Sequence, residues 1–191
     1  MKITDDYVFF FTENDIYSNW YMRDFTVNDI TFKCNEQYMM YCKARLFGDA
    51  KIAAEILDES TRRVDNKTGK PERLQAFYKR KGREVSGYDE ETWASKRENY
   101  VATGAYHKFN QHEDLREAML STGSRKFVEA SKFDKLWGIG MDVSNPNLMD
   151  LSRWGQNLLG KALDRVKYRL QKEYNMALDN NTSHASRPRM K

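Results

Sequence analysis

The stretch that decides the fold is residues 151–176, LSRWGQNLLGKALDRVKYRLQKEYNM, near the end of the chain. Its apolar residues recur at the spacing of one face of an α-helix. They are Leu151, Trp154, Leu158, Leu159, Ala162, Leu163, Val166 and Leu170. The stretch therefore predicts a long amphipathic helix from Leu151 to about Met176, whose apolar face needs a core to pack against.

Upstream of this helix, the sequence predicts several more helices and a small amount of β-structure. Helices are expected at about 36–47, 50–57, 71–82, 89–109 and 112–121, with Asn35, Asp49 and Asp89 as candidate N-caps. Residues 7–11 read as a strand, 24–32 as a hairpin around Asn28-Asp29, and 126–130 as a strand or one helical turn. The predicted fold is mainly α (α+β): a single helical domain with a small β-hairpin near the N-terminus.

Length and composition are those of one globular domain. The chain has 191 residues, of which 40% are hydrophobic and 31% charged. Its two cysteines, Cys34 and Cys42, do not form a disulfide framework, and no apolar run approaches the ~20 residues that span a bilayer. The first residues lack the pattern of a signal peptide. We therefore expect a cytoplasmic protein that does not bind membranes.

Positive charge is concentrated in two places. The formal net charge is +4, but residues 62–84 alone carry nine basic and three acidic side chains. The end of the chain adds Arg187, Arg189 and Lys191 against one acid, Asp179. We expect a domain at 1–178 and a basic, disordered tail at 179–191. A basic segment is usually a solvated surface, and the alternative is attraction for the phosphates of a nucleotide or nucleic acid.

Two groups of residues are candidates for chemistry. Glu36 and Lys43 lie almost two helical turns apart on one face, although two solvated surface charges are the commoner explanation of such a pair. Residues 129–142, EASKFDKLWGIGMD, place Trp137 between an acid, Asp134, and two glycines that permit unusual backbone conformations. No cysteine and histidine cluster predicts a metal, and no nucleotide-binding glycine motif predicts a cofactor.

Six blocks of the chain, in order, resemble the NADAR superfamily of YbiA-like proteins. They are FFFTENDIYSNWY (9–21), FKCNEQYMMYCKARLFGD (32–49), KGREVSGYDEETW (81–93), HKFNQHEDLREAMLSTG (107–123), KFVEASKFDKLWGIG (126–140) and WGQNLLGKAL (154–163). Each block alone is weakly specific, but their order and spacing extend the resemblance from about Val8 to Leu170.

The resemblance implies an N-glycosidase that hydrolyses the bond between ribose C1 and a base nitrogen, without a metal or cofactor. The implied substrates are ribosylaminopyrimidine phosphates of riboflavin biosynthesis or ADP-ribosylated guanine in nucleic acid. The catalytic residues it implies are Glu36, Asp134 and Trp137. The substrate-binding residues it implies are Ser18, Asn19, Trp20, Lys43, Arg83, Trp93, Lys108, Glu129, Gly138, Gly140 and Asn157. Trp93 and Trp137 would stack on the base, and Lys43 and Arg83 would hold phosphate.

Two questions stay open at the level of sequence. Either Glu36 or Asp134 could be the carboxylate that acts at C1, with the other positioning ribose or nitrogen. A non-catalytic module that binds ADP-ribose or a related nucleotide is the competing class, and the presence of both carboxylates counts against it.

Overall fold

A computed structural model describes residues 1–185, with side chains described through residue 179. Six α-helices lie in this part of the chain: α1 Asn35–Leu46, α2 Ala50–Asp58, α3 Leu74–Glu84, α4 Glu90–Gln111, α5 Glu113–Leu120 and α6 Leu158–Ala185. The strands are β1 Lys2–Ile3, β2 Tyr7–Phe10, β3 Phe25–Val27, β4 Ile30–Phe32 and β5 Lys126–Glu129. The predicted α+β class is confirmed, since helices dominate and the sheets are small.

The central sheet joins two strands at the start of the chain to a strand from its second half. Its strand order is β1-β2-β5, with β2 antiparallel to β1 and parallel to β5. Segment 126–130, which the sequence left between strand and helical turn, is therefore a strand, because β2 supplies its hydrogen-bond partner. Phe9, Phe10 and Phe127 are almost fully buried on this sheet.

The hairpin β3–β4 forms where it was predicted. Asn28 and Asp29 take positive φ angles of 48° and 63°, a conformation that two-residue hairpin turns require and that Asn and Asp tolerate. Phe25 and Phe32 pack on Tyr38 of α1, so the hairpin closes one side of that helix.

Helix α1 lies in the middle of the bundle. It packs against α2, α3 and α4, while α4 also packs against α6, and α6 covers β5. Asp49 and Asp89 cap α2 and α4 as predicted, since their side chains accept the amides of Ile52 and Thr92. Because neighbours surround α1 on most sides, even polar residues in its first turn are buried.

Asn35 is not the N-cap of α1. Cys34 occupies that position, and Asn35 is the first helical residue. Its side-chain amide is buried and donates to Asn19 Oδ1 at 2.8 Å and to the Val101 carbonyl at 3.1 Å. Tertiary hydrogen bonds from two other segments outcompete the local cap.

The last helix begins later and ends later than predicted. Leu151 lies in a 3₁₀ turn and is exposed, while Trp154 packs edge-on against the rings of Tyr7 and Phe9. The helix starts at Leu158, because the preceding residue, Asn157, has a positive φ of 50°. It continues to Ala185, since no glycine or proline interrupts it. The tail predicted at 179–191 begins within this helix, and its residues 186–191, which include the basic side chains, lie outside the described residues.

Among residues 1–185, no helix combines the length and apolar character needed to cross a membrane.

Candidate active site

Two adjoining chambers open between α1, α3 and the loops at 11–20 and 130–157. The larger, called here the main chamber, has a volume of about 620 Å³ and the side chamber about 570 Å³. The main chamber is lined by Ser18, Asn19, Trp20, Glu36, Met39, Met40, Lys43, Lys79, Gly82, Arg83, Glu129, Phe133, Asp134, Lys135, Leu136 and Trp137. The side chamber is lined by Phe11, Thr12, Glu13, Asn14, Ser18, Trp20, Lys79, Glu129, Ser131, Phe133 and Asp134. Both chambers are therefore bounded by the same acidic residues, Glu129 and Asp134.

Glu36 lies in the first turn of α1 and is only 5% exposed. Its amide donates to the Asn19 carbonyl at 2.9 Å, which ties the helix start to the loop at 11–20. Burial is the main cause that raises the pKa of Glu36 to about 7, and the charge of Asp134 adds to the rise. Lys79, a hydrogen bond from the Trp20 side chain and Arg83 act in the opposite direction.

A buried lysine, Lys108, holds the loop at 11–20 in place. Lys108 of α4 is 1% exposed, and its Nζ donates to the carbonyl oxygens of Ile16 and Ser18 at 3.0 and 3.2 Å. Burial lowers the pKa of Lys108 to about 7. Lys108 lines neither chamber, because its ammonium group points to the carbonyl groups of Ile16 and Ser18.

Asp134 organises the loop that carries Trp137. Its Oδ1 accepts the amides of Leu136 and Trp137, both at 2.8 Å, and its carbonyl accepts the amide of Gly140 at 3.0 Å. The loop therefore folds around this side chain, and one carboxylate oxygen is used in holding it. Trp137 is half-buried, lines the main chamber and packs against the core.

The two glycines of this loop, Gly138 and Gly140, allow its backbone conformation and do not line the chambers. A Cβ at Gly138 would lie 2.6 Å from the Glu129 carbonyl oxygen, so the loop can approach β5 only with glycine here. Gly140 has a φ of +75°, which glycine adopts without strain. Neither Gly138 nor Gly140 lines a chamber.

Asn157 also supports β5 from outside the chambers. Its Oδ1 accepts the Glu129 amide and its Nδ2 donates to the Phe127 carbonyl, both at 3.0 Å. The side chain thus pairs with the β5 backbone as a neighbouring strand would. This contact orients Glu129, although Asn157 itself does not face the cavity.

Glu129 ends β5 at the boundary of the two chambers. Burial raises the pKa of its carboxyl to about 8, and the charges of Asp134 and Glu36 add to the rise, while Lys79 opposes it. Its Oε2 is buried and has no hydrogen-bond partner among the described residues. Three carboxyl groups, those of Glu36, Glu129 and Asp134, thus interact electrostatically across the cavity.

Cationic side chains lie at the rim of the main chamber. Lys79 and Arg83 are exposed and four residues apart on α3, so they share one face of the helix. Lys43 is half-buried, and its Nζ donates to the Gly82 carbonyl at 2.7 Å and lies 4.1 Å from the Tyr88 ring centroid. Burial lowers the pKa of Lys43. The rim can attract an anionic group, with Lys79 and Arg83 free to move toward it.

Trp93 is part of the core and not of the cavity wall. It is buried, and its ring is stacked against Tyr100 with centroids 6.0 Å apart. The Lys43 Nζ lies 5.8 Å from the Trp93 ring centroid. The Trp93 ring faces α1 and lies beside Lys43, so Trp93 helps to position Lys43 without lining the cavity.

The structure brings together nine of the fourteen residues that the resemblance implied. Those that line the main chamber are Ser18, Asn19, Trp20, Glu36, Lys43, Arg83, Glu129, Asp134 and Trp137. Those that line neither chamber are Trp93, Lys108, Gly138, Gly140 and Asn157.

Sequence reasoning missed Lys79 and Phe133, which line both chambers. Lys79 was visible only as one of nine basic residues in 62–84. Its spacing from Arg83 was the signal that could have singled it out. Phe133 is 80% exposed, and its position at the cavity could not be read from the sequence.

Within the described residues, no group of three or more His, Cys, Asp or Glu side chains is arranged to hold a metal ion.

The fold and the cavity define an α+β domain with a ligand site of buried carboxyl groups, aromatic rings and a cationic rim. The sequence profile of the NADAR domain matches residues 8–171, and the chain belongs to the NADAR family.

Several known proteins are similar to this chain. The protein irg-1 of Caenorhabditis elegans is 33% identical over 184 residues, covering 87% of this chain and 81% of the relative. An N-glycosidase of Acanthamoeba polyphaga mimivirus is 34% identical over 176 residues, covering 86% and 96%. N-glycosidase YbiA of Escherichia coli is 30% identical over 139 residues, covering 71% and 77%.

The fold is also similar to a solved structure. The NMR structure of Escherichia coli YbiA superposes with a TM-score of 0.65 at 24% identity, covering 91% of this chain and 89% of that chain. This likeness confirms the predicted YbiA-like fold.

Proposed function

We propose that this protein is an N-glycosidase that hydrolyses the bond between ribose C1 and a base nitrogen in a ribose-phosphate or ADP-ribose derivative. The observation that carries the proposal is the set of buried carboxyl groups, Glu36 and Glu129 with Asp134, in a cavity rimmed by Lys79 and Arg83. Family membership supports it, since two of the similar proteins are named N-glycosidases.

The reaction needs a carboxylate beside the sugar. When the C1–N bond breaks, its electron pair leaves with nitrogen and positive charge develops on C1 and the ring oxygen. A carboxylate stabilises this charge or removes a proton from the water that attacks C1. We assign this role to Glu36, because the Trp20 hydrogen bond and the nearby cations Lys79 and Arg83 oppose the effect of burial, so that with a pKa of about 7 a large fraction of Glu36 is ionised near neutral pH.

Asp134 then has a positioning role. Its Oδ1 is occupied by two amides of its own loop, so the carboxylate is fixed in orientation. Its second oxygen is left for a ribose hydroxyl group. The same two hydrogen bonds place Trp137 in the wall of the main chamber, where its ring can cover a flat or apolar face of the substrate.

The cationic rim suits the phosphate of the substrate. Lys79 and Arg83 are exposed at the mouth, and an arginine can hold a phosphate with two parallel hydrogen bonds. Two chambers that share one boundary also suit a substrate with two parts joined at the scissile bond. Ribosylaminopyrimidine phosphates and ADP-ribosylated guanine both have this form.

The test is hydrolysis of both substrates by the purified protein. Ribosylaminopyrimidine phosphate and ADP-ribosylated DNA are incubated separately, and released ribose 5-phosphate or ADP-ribose is measured by chromatography. Glu36→Gln should lose turnover by about 10²–10⁴-fold, the usual contribution of a positioned acid or base. Glu117→Gln, the same change at an exposed site on α5, is the matched control.

Each outcome separates one proposal from another. Release from only one substrate identifies the substrate class. Binding of ADP-ribose without release from either substrate would reject catalysis and support a nucleotide-binding module. Full activity of Glu36→Gln would reject the assignment of the carboxylate while leaving the N-glycosidase itself standing.

The boundaries and the compartment are also proposed. We propose that residues 1–178 form the catalytic domain and that 179–191 act as a basic tail. We propose a cytoplasmic location, because Cys34 and Cys42 are both free and buried, as expected in a reducing compartment.

A further inference from the structure

Glu129 is held more rigidly than a surface carboxylate. Its amide donates to Asn157 Oδ1 at 3.0 Å, and its carbonyl accepts the Ile139 amide at 3.0 Å. Its backbone also pairs with Phe10 across the parallel strands. Both hydrogen-bonding groups of the Glu129 main chain are therefore engaged, and its carboxyl lies at the boundary of the two chambers.

The surroundings of this carboxyl differ from those of Glu36. Glu36 receives a hydrogen bond from the Trp20 side chain and has two cations nearby, Lys79 and Arg83. The charged groups that act on Glu129 are Asp134 and Glu36, both acidic, with Lys79 as the opposing cation. Its buried Oε2 has no donor among the described residues. Burial without a donor, beside two acids, favours the neutral carboxylic acid.

Two buried carboxyl groups with different neighbours in one cavity can divide the work of an acid and a base. The departing nitrogen needs a proton, because an amine anion is a poor leaving group. A group that is neutral near neutral pH and faces both chambers is placed to supply that proton.

We infer that Glu129 is the catalytic acid that protonates the leaving nitrogen, while Glu36 acts at C1; this inference rests on the proposed function. In the step, the C1–N bond breaks and its electron pair forms a bond to the Glu129 proton. Water adds its oxygen to C1 and gives up one proton to the Glu36 carboxylate. The Glu36 proton then returns to Glu129 through solvent, which restores both groups, and the products are the base and ribose 5-phosphate or ADP-ribose.

The test compares Glu129→Gln on two substrates. One carries the natural amine leaving group, and the other is 4-nitrophenyl β-D-ribofuranoside 5-phosphate, whose phenolate leaves without a proton. Glu129→Gln should lower kcat on the amine substrate by about 10²–10⁴-fold with little change in KM. On the nitrophenyl substrate it should keep most of its activity. Glu117→Gln, the same substitution at an exposed site on α5, is the matched control.

The pH profile is a second readout, which holds even if the nitrophenyl substrate fits the site poorly. In the wild-type protein, kcat should fall as the pH rises above about 8, as the acid loses its proton. Glu129→Gln should remove this alkaline decline. Equal loss on both substrates, or an alkaline decline that survives the substitution, would overturn the assignment. A wild-type protein inactive on both substrates would instead reject the proposed function, and this inference with it.

Discussion

Replacing Glu36 with glutamine should change the pH dependence of stability. The pKa of Glu36 is about 7 in the folded protein and 4.5 in an ordinary glutamate, so the folded state holds the proton more tightly. Its contribution to stability is complete below about pH 4.5 and is lost as the pH rises through about 7. At about 1.4 kcal/mol per pKa unit, ionisation of Glu36 in the fold costs about 3 kcal/mol.

Glutamine has the same shape and cannot ionise. Relative to the wild-type protein, Glu36→Gln should therefore gain about 2–3 kcal/mol in free energy of unfolding between about pH 5 and pH 8. Part of that gain is offset at every pH by the weaker hydrogen bond to Trp20, so the change with pH is the informative quantity.

The assay is urea unfolding of both proteins at the two pH values, followed by far-UV circular dichroism. Unchanged m-values would show that both proteins expose the same surface on unfolding. Glu117→Gln should show no pH-dependent difference from the wild-type protein. A stability difference between Glu36→Gln and wild type that is the same at both pH values would refute the reasoning, since Glu36 would then not be a buried acid with a raised pKa.

Three further predictions concern the supports and the rim of the site. Gly138→Ala places a Cβ 2.6 Å from the Glu129 carbonyl oxygen, so urea unfolding should show a loss of about 1–3 kcal/mol together with a lower kcat; an active protein of wild-type stability would contradict this. Lys108→Met leaves two carbonyl groups of the 11–20 loop without their donor, and thermal unfolding should show a loss of about 1–3 kcal/mol. In steady-state kinetics, Arg83→Met should raise the KM for a phosphorylated substrate about tenfold, which is the effect of losing one charged hydrogen bond. The KM for the corresponding riboside without phosphate should not change.

Local patterns predicted the elements whose partners lie close by in the chain. The hairpin depends on Asn28 and Asp29, which tolerate positive φ, and the starts of α2 and α4 depend on caps at Asp49 and Asp89. Both partners of each interaction lie within a few residues of one another, so the local sequence is enough to predict it. Asn35 follows the same local pattern, but its prediction as an N-cap was wrong. Its side chain instead donates to Asn19 and Val101, which lie far from it in the sequence.

The last helix shows the limit of periodicity. Leu151 and Trp154 continue the apolar spacing of α6 but lie outside it. Trp154 is partly buried, and its ring packs on Tyr7 and Phe9 of the central sheet instead of on the core face of α6. Leu151 is exposed, so the apolar spacing predicted neither the start of the helix nor the burial of every residue in it.

By itself, the sequence determined the helical class through its apolar periodicity, and its resemblance to the NADAR superfamily over six ordered blocks indicated the family and the acids of the site. Only the tertiary structure decided which of those residues face the cavity. Trp93 and Lys108 do not line the cavity, whereas Lys79 and Phe133 do. The groups that surround Glu36 also differ from those that surround Glu129. The physical reason is that desolvation and the charges of neighbouring groups depend on residues far apart in the chain, and those distances exist only in the folded protein.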